Sequence, residues 1–541
     1  MGFKHVLLLF LTSLSAIFPQ DYANITVTVD LSDTVAETDD NFVCATIDWW
    51  PPEKCNYNDC PWGMTSVLNL DLNNPYLSKA IQAFNPLRIR VGGTLQNRIV
   101  YDVGSSKASC SPFMVTSVGL FGFSTGCLSM ERWDEVNSLF LKTGAIVTFG
   151  LNALNGRHSV GHGVWQGLWN SSNAHDFINY TITKGYPIDS WEFGNELSGH
   201  GIGARIDAQQ YGRDLIELKT MLRELYSSTN IEPLLVAPGG FFDDPQWYAQ
   251  LLEVSGPDVL DALSHHVYNL GGGDDPCIAR KITSPTYLGG FADTFRNVQL
   301  TIERHGPWSS AWVGEAGGVY NSGSPLVSNT FLNSIWYLDQ LGMASRYNTK
   351  VYCRQTLIGG NYGLLDTHSF IPNPDYYSAL LWHQLMGKGV LSVSISETTY
   401  LRGYAHCSKA KSGITLLLIN LCKSATMSVK LHNDPNVDQP RDILKSSFFS
   451  NGRKRAFSWF VRKASGGSQE REEYHLTAKD GRHLSRTMLL NGNPLQLTSA
   501  GDIPDLRPML VAANDPISIT PLSIAFVTFP FLEVRACSSK Q

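Results

Sequence analysis

The sequence has no excess of positive charge: 42 Lys and Arg stand against 48 Asp and Glu, a formal net charge of −6 over 541 residues. No global field therefore favours a polyanion, and nucleic acid is excluded as a partner on balance, though a local basic patch is not. Cysteine is sparse, with ten in all, at 44, 55, 60, 110, 127, 277, 353, 407, 422 and 537. None forms the paired CxxC pattern of a zinc site, so a few disulfides fit better than metal, and neither a metal nor an organic cofactor is expected. Their connectivity is not legible from spacing. Long apolar runs are also lacking, none reaching the roughly 20 residues of a membrane span. The nearest is Val6 to Phe18, preceded by Lys4 and His5 and followed by Gln20 and Asp21. That layout reads as a secretory signal over residues 1–20.

What is present fits that reading. Sequons begin at Asn24, Asn170 and Asn179, as expected for a glycoprotein secreted to the cell exterior or wall, with a vacuole or lysosome, or peripheral attachment to a membrane, as the alternatives. A 43% hydrophobic content supports a large core, and two domains suit the length better than four.

From about residue 36 to 385, short β-rich runs alternate with amphipathic stretches, the pattern of parallel strands joined by helices. Eight strands are expected, at Val43 to Asp48, Leu87 to Val91, Ala145 to Gly150, Ser190 to Phe193, Leu234 to Ala237, Ala262 to His266, Ala311 to Gly314 and Val351 to Thr356. The clearest helix follows Asp207, a capping residue, with Tyr211, Leu215, Leu218, Leu222 and Leu225 on one face. Eight such units predict a (β/α)8 TIM barrel. Residues 386–541 read instead as a β-sandwich, with strands such as Ser392 to Ile395, Ile414 to Ile419, Ile517 to Ile519 and Ile524 to Phe529. Ile25 to Val29, within residues 21–35, is a strand with no helical partner and is expected to pair into that sandwich. Ser465 to Glu473 is expected to be a polar loop.

In a TIM barrel the reacting groups project from the C-terminal ends of the strands. Here those ends carry Asp48, then Arg90-Val91-Gly92-Gly93-Thr94, Gly194-Asn195-Glu196, His265-His266, Gly314-Glu315 and, beyond the eighth strand, Gly360-Asn361-Tyr362. Glu196 and Glu315 follow strands four and seven and can face each other across the mouth. Glycosidic cleavage needs such a pair, one carboxyl protonated and one ionised, held roughly 5 to 5.5 Å apart in a retaining enzyme. Asn195 is suited to bind a 2-hydroxyl, whose contact strengthens as the oxocarbenium ion develops. Glu192 reads as structural.

The combination of Trp191-Glu192-Phe193-Gly194-Asn195-Glu196 with Val313-Gly314-Glu315, Arg90 to Thr94, Ser264-His265-His266 and Gly359-Gly360-Asn361-Tyr362 resembles glycoside hydrolase family 79, which includes heparanase and plant heparanase-like proteins. The resemblance extends through Tyr474 to Thr477 and Leu490 to Gly492. It implies a retaining enzyme acting on β-linked glucuronic acid, with Glu196 as proton donor and Glu315 as nucleophile. By the same match Asp48, Thr94, Asn195, Tyr268, Tyr362 and the backbone of Gly360 would line the sugar subsite.

Two departures alter the expectation. The glycine run thought to receive the glucuronate carboxylate in animal heparanase is here Tyr320-Asn321-Ser322-Gly323, and the excised linker is reduced to Tyr101 to Met130. One uncleaved chain after signal removal is expected. That stretch lacks Lys/Arg clusters, so heparan sulfate is a poor substrate. Glucuronic acid on cell-wall glycoprotein glycans or small aromatic aglycones fits better. The alternative is a catalytically weak carbohydrate-binding relative.

Other signals carry less. Gly122 to Gly126 spells GxSxG away from any strand-to-helix turn, and Gly199 to Gly203 is an incomplete nucleotide fingerprint that reads as cleft wall. His265 and His266, adjacent on a strand, point to opposite sides and cannot share a metal; one of the two, taken as His265, is expected to reach substrate. Arg453, Lys454, Arg455, Arg462 and Lys463, interleaved with Phe457, Trp459 and Phe460, read as a solvated hairpin face.

Overall fold

The computed structural model describes residues 22–104, 110–117, 119–433 and 469–538. Residues 1–20, expected to be a signal, and the basic aromatic group at 453–463 lie outside them.

Eight parallel strands close into a barrel in chain order. They are β1 (Val43–Ile47), β2 (Arg88–Val91), β3 (Ile146–Leu151), β4 (Ser190–Phe193), β5 (Leu234–Phe241), β6 (Ala262–Val267), β7 (Ser310–Ala316) and β8 (Thr349–Arg354). All eight coincide with the runs expected from sequence, to within a few residues at the ends. Alternation along each strand sorts side chains to two sides. Ala45, Ile47, Ile89, Val91 and Leu263 join the main apolar core with the helices. Cys44, Val236, Ala262, Trp312, Val351 and Cys353 form a separate buried cluster, the floor of the barrel interior. Cys44 and Cys353 are register partners on β1 and β8 and are joined by a disulfide, which closes the seam of the barrel.

The helices form as their sequences direct. Asp207 caps helix Ala208–Tyr226, accepting from the Gln210 amide at 2.9 Å, and Tyr211, Leu215, Leu218 and Leu222 are buried. Helix Phe331–Arg346 is buried almost all round because it lies between the barrel and a second layer. A methyl at Gly342 would sit 2.3 Å from the Tyr404 ring, and Asp339 accepts from Arg402 Nε at 2.7 Å and Tyr404 Oη at 2.6 Å.

That second layer is a pair of sheets. Strands Met386–Leu391, Leu401–Ser408, Ile414–Asn420, Ser523–Phe529 and Glu470–Ala478 form the body of the larger one. Val393–Ile395, Tyr22–Val29, Thr426–Asn433 and Ile517–Ile519 form the smaller. Leu416 and Leu418 pack against Ile25, Val27 and Val429 between the sheets, while Leu417 and Ile419 face the barrel's core. The strand preceding the barrel thus runs parallel to Thr426–Asn433. The Cys407–Cys537 disulfide ties this region, and Cys55–Cys60 and Cys110–Cys127 staple loops above the barrel.

One expectation is overturned in part. Of Ser465 to Glu473, the residues from Glu470 onward are strand, paired with Met509–Ala512 and Ser523–Phe529. The charge that suggested a loop is a buried ion pair, Arg471 to Glu473 at 2.6 Å, both side chains nearly inaccessible. Inward residues that neutralise each other can occupy core positions of a strand, and a hydropathy pattern does not reveal them.

Candidate active site

The loops at the C-terminal ends of the strands enclose a cavity of about 470 Å³, lined by Trp50, Lys54, Trp62, Thr94, Phe121, Glu196, Ile202, Phe241, Tyr268, Glu315, Tyr320, Ser322, Gln355 and Tyr362 among others. Seven of the lining residues are aromatic, and Glu196 and Glu315 share the same cavity.

Backbone irregularity aims both of them. After β4 the chain turns through Gly194, at φ 71°, to Glu196, which itself adopts a left-handed φ of 53°. Such a conformation is costly for a side chain with a Cβ and is held by its surroundings. Here the Glu196 amide donates to Gly239 O at 2.6 Å and its carbonyl accepts from Ile202 N at 2.9 Å. On β7, regular alternation would send Glu315 outward with Ala311 and Val313. The register against β6 shifts between Val313 and Glu315, setting Glu315 opposite His266 and turning it into the mouth.

Oxygens of Glu196 and Glu315 and a ring nitrogen of His266 all lie within 4.8 Å of one another. The two carboxyls differ sharply in surroundings. Glu315 Oε2 accepts from Arg90 Nη1 at 2.7 Å, and its Oε1 accepts from Tyr268 Oη at 2.5 Å. Two donors, one of them charged, thus hold both of its oxygens in place. Glu196 instead faces His266 Nδ1 at 3.0 Å, and burial, only partly opposed by Arg90, pushes its carboxyl up to about 7. Burial likewise takes His266 down to about 3, so the ring is neutral. The trio is close enough to hold a cation, but Arg90 beside Glu315 and a Glu196 that keeps its proton near neutrality oppose one.

Asp48 accepts from Gln355 Nε2 at 2.8 Å and the Trp49 amide at 2.6 Å. Burial and the neighbouring Glu315 push it up to about 7. Gly93, at φ 122°, makes this approach possible, since a methyl there would lie 2.5 Å from Asp48 Oδ2. Asn195 Oδ1 accepts from Arg90 Nη2 at 2.8 Å, while its buried Nδ2 has no partner among the described residues and is free to donate. Thr94, Tyr268 and Tyr362 line the cavity, and Gly360 packs against the Tyr362 ring. Glu192 is structural in placement, buried and bound by Arg90 Nε at 2.6 Å.

His265 does not belong to this group. It shares the outward parity of Leu263 and packs against Phe295, with ring centroids 5.9 Å apart; His266, sharing the parity of Ala262 and Ser264, is the one that enters the site. The same two-residue period, applied to β2 and β6, identifies Arg90 and His266 from sequence once Ile89, Val91 and Leu263 are taken as the outer face. Gln355 and Lys54 carried no such signal. Among the described residues, the Ser124 hydroxyl of the GxSxG pattern bonds only to loop backbone, at Met114 N and Thr125 O. Ile202, from the glycine-rich stretch, is cavity wall.

Residues 24–342 match the family described as glycosyl hydrolase family 79, N-terminal domain. The chain belongs to that family. Heparanase-like protein 2 of Arabidopsis thaliana is 55% identical over 99% of this chain and 100% of its own length. Baicalin-beta-D-glucuronidase of Scutellaria baicalensis is 41% identical over 92% of this chain and 90% of its own. Among solved structures, a 4-O-alpha-L-rhamnosyl-beta-D-glucuronidase from Fusarium oxysporum shares the fold with a TM-score of 0.62 at 17% identity, covering 93% of this chain and all of that one. Family 79 is a glycosidase family, and glycosidic cleavage uses a carboxyl pair of the kind that Glu196 and Glu315 form at the barrel mouth. Among the described residues no helix is long and apolar enough to cross a membrane.

Proposed function

We propose that this chain is a retaining β-glucuronidase in which Glu196 gives its proton to the leaving oxygen and Glu315 attacks the anomeric carbon. One observation carries the reading. A carboxyl that keeps its proton up to about 7 lies within 4.8 Å of a carboxylate oxygen that Arg90 and Tyr268 hold ready. The spacing suits direct attack and a glycosyl-enzyme intermediate rather than a water held between the two groups. After the aglycone departs, Glu196 as the anion accepts a proton from the water that releases the sugar.

Asp48, Thr94, Asn195 and Tyr362, with the Gly360 backbone, are assigned to the glycone. The aromatic wall of Trp50, Phe121, Phe241 and Tyr320 offers stacking surface to a flat aglycone or a sugar face. The named activity of the Scutellaria relative adds support for a small aromatic glucuronide; cell-wall glycoprotein glycans are the second substrate class. Secretion fits four disulfides and sequon asparagines at 24, 170 and 179 that are all exposed.

The test is hydrolysis of an aryl β-glucuronide beside the matching glucoside and xyloside, with Glu196→Ala and Glu315→Ala variants and NMR of the first-formed anomer. Glucuronide turnover that gives the β-anomer and is lost in both variants is the expected result. The α-anomer refutes retention, a neutral-sugar preference refutes the substrate, and no turnover on either class favours a carbohydrate-binding relative.

A further inference from the structure

The segment that follows β1 is folded back over the cavity and locked there. Cys55 and Cys60 are disulfide-bonded, Asn56 and Asp59 exchange backbone hydrogen bonds of 2.8 and 2.9 Å, and the Lys54 amide donates to Pro51 O at 3.0 Å. Three side-chain bonds then fasten it to loops from β7 and β8. Ser322 Oγ donates to Asn56 Oδ1 at 2.8 Å, Asn321 Nδ2 to Tyr57 Oη at 2.9 Å, and Asn361 Nδ2 to Asp59 Oδ2 at 2.9 Å. A loop cross-linked and tied in this way holds whatever it carries at a defined place on the rim.

It carries Lys54. The ammonium lies 4.4 Å above the centre of the Trp50 ring, and Lys54 is the one Lys or Arg among the described residues that line the cavity. No carboxylate or hydrogen-bond acceptor among the described residues engages its Nζ. The neighbouring cations are committed, Arg90 to Glu192, Glu315 and Asn195, and Arg354 to Asp375. A half-buried ammonium resting on an aromatic face keeps its charge without being neutralised. Burial lowers its pKa while Asp48 opposes the shift, so an incoming anion would be met by a partly desolvated, unpaired cation.

The need for such a cation follows from the rest of the pocket. Glu315, the attacking carboxylate in the reading above, lines the cavity, and a uronic acid brings a second carboxylate beside it. Like charges at these separations repel appreciably in a buried site unless a cation intervenes.

We propose that Lys54 is the anion receptor of this pocket: its ammonium pairs with the carboxylate of the bound uronic acid and sets the preference for uronides over the corresponding neutral sugars. The assignment rests on the glucuronidase reading above. It requires no change in the chemistry at Glu196 and Glu315, and it makes Lys54 a specificity residue rather than a catalytic one.

The experiment uses the full chain and its Lys54→Gln and Lys54→Arg variants on an aryl β-glucuronide, its methyl ester and the matching β-glucoside, together with inhibition by free glucuronate and glucose. Loss of one charge-assisted contact predicts a KM for the glucuronide raised about tenfold in Lys54→Gln, with kcat changed less than about threefold. Lys54→Arg should recover most of that loss. Methyl ester turnover, glucoside turnover and glucose inhibition should stay within about twofold of wild type, whereas glucuronate inhibition weakens in step with KM. A folded Lys54→Gln variant whose preference for glucuronide over ester and glucoside is unchanged overturns the role of Lys54 and leaves the glucuronidase reading intact. A wild-type enzyme that itself prefers the glucoside overturns both.

Discussion

Arg90 donates to Glu315 across 2.7 Å, and the same guanidinium binds Glu192 at 2.6 Å and Asn195 at 2.8 Å. Burial disfavours its charge, but Glu192 and Glu315 together outweigh that and hold it firmly protonated. One cation therefore serves a structural carboxylate, the proposed nucleophile and the amide that would meet the sugar. Arg90→Ala leaves two buried carboxylates without their cation and should destabilise the fold by about 3–5 kcal/mol. Arg90→Lys retains a charge but cannot serve three acceptors in a fixed fork, so it should fold and lose about 10²-fold in kcat. Thermal unfolding and steady-state kinetics of the two variants separate these effects, and an Arg90→Lys enzyme with wild-type kcat would remove Arg90 from the mechanism.

Glu196 predicts a pH signature. As a proton donor it works only while protonated, so kcat/KM should fall as pH rises through about 7. With an aryl leaving group that needs little protonation, Glu196→Gln should keep a measurable first step and lose that alkaline limb. Stability carries the same sign. The folded pKa lies above the unfolded one, so the contribution of this group is complete below about pH 4.5, declines as pH rises, and is gone above about 7. The loss amounts to about 3 kcal/mol, and Glu196→Gln should unfold with a correspondingly flatter pH dependence. Parallel curves for the two proteins would contradict the raised pKa.

The barrel was legible because its strands are short apolar runs set between helical periods, and burial enforces that pattern on every strand. The carboxyl pair was legible by its position at strand ends. Their orientation was not. Alternation alone sends Glu315 outward beside Val313, and the register shift that reverses this involves a glycine whose role only the paired strand reveals. Glu196 owes its direction to a left-handed backbone that no propensity favours for glutamate. Lys54 and Gln355 reach the site through loop closure and a neighbouring strand, which are tertiary relations.

The seam of the barrel joins stability to the site. Cys44 and Cys353 link β1 to β8, and just beyond the ends of the same two strands Gln355 Nε2 donates to Asp48 at 2.8 Å. A cross-link across so long a loop is worth about 2–5 kcal/mol. The Cys44→Ala/Cys353→Ala double variant should therefore melt several degrees lower. Because Asp48 and Gln355 sit at the top of the loosened seam, KM should rise at temperatures where circular dichroism still reports a folded barrel. A melting temperature equal to wild type would show that strand pairing alone closes the seam.

The adjacent histidines give opposite predictions for the same substitution. His266 Nδ1 lies 3.0 Å from Glu196 Oε1, and burial holds the ring neutral, with a pKa down to about 3. An unprotonated Nδ1 can accept a hydrogen bond from the carboxyl O–H of Glu196, and the other tautomer can donate to the anion formed once that proton has left. His266→Phe removes both options, so it should lower kcat about 10–100-fold and move the alkaline limb of the pH profile. His265 is equally buried, yet neither ring nitrogen has a hydrogen-bond partner among the described residues, and its ring faces Phe295 on the outer side of β6. Leaving those nitrogens unpaired costs about 1–3 kcal/mol. His265→Phe or His265→Leu should accordingly preserve kcat and KM within about twofold and raise the melting temperature. The kinetic comparison is decisive: if His265→Phe abolishes turnover while His266→Phe is tolerated, the facing of β6 is the reverse of that described, and the partner of Glu196 must be sought elsewhere.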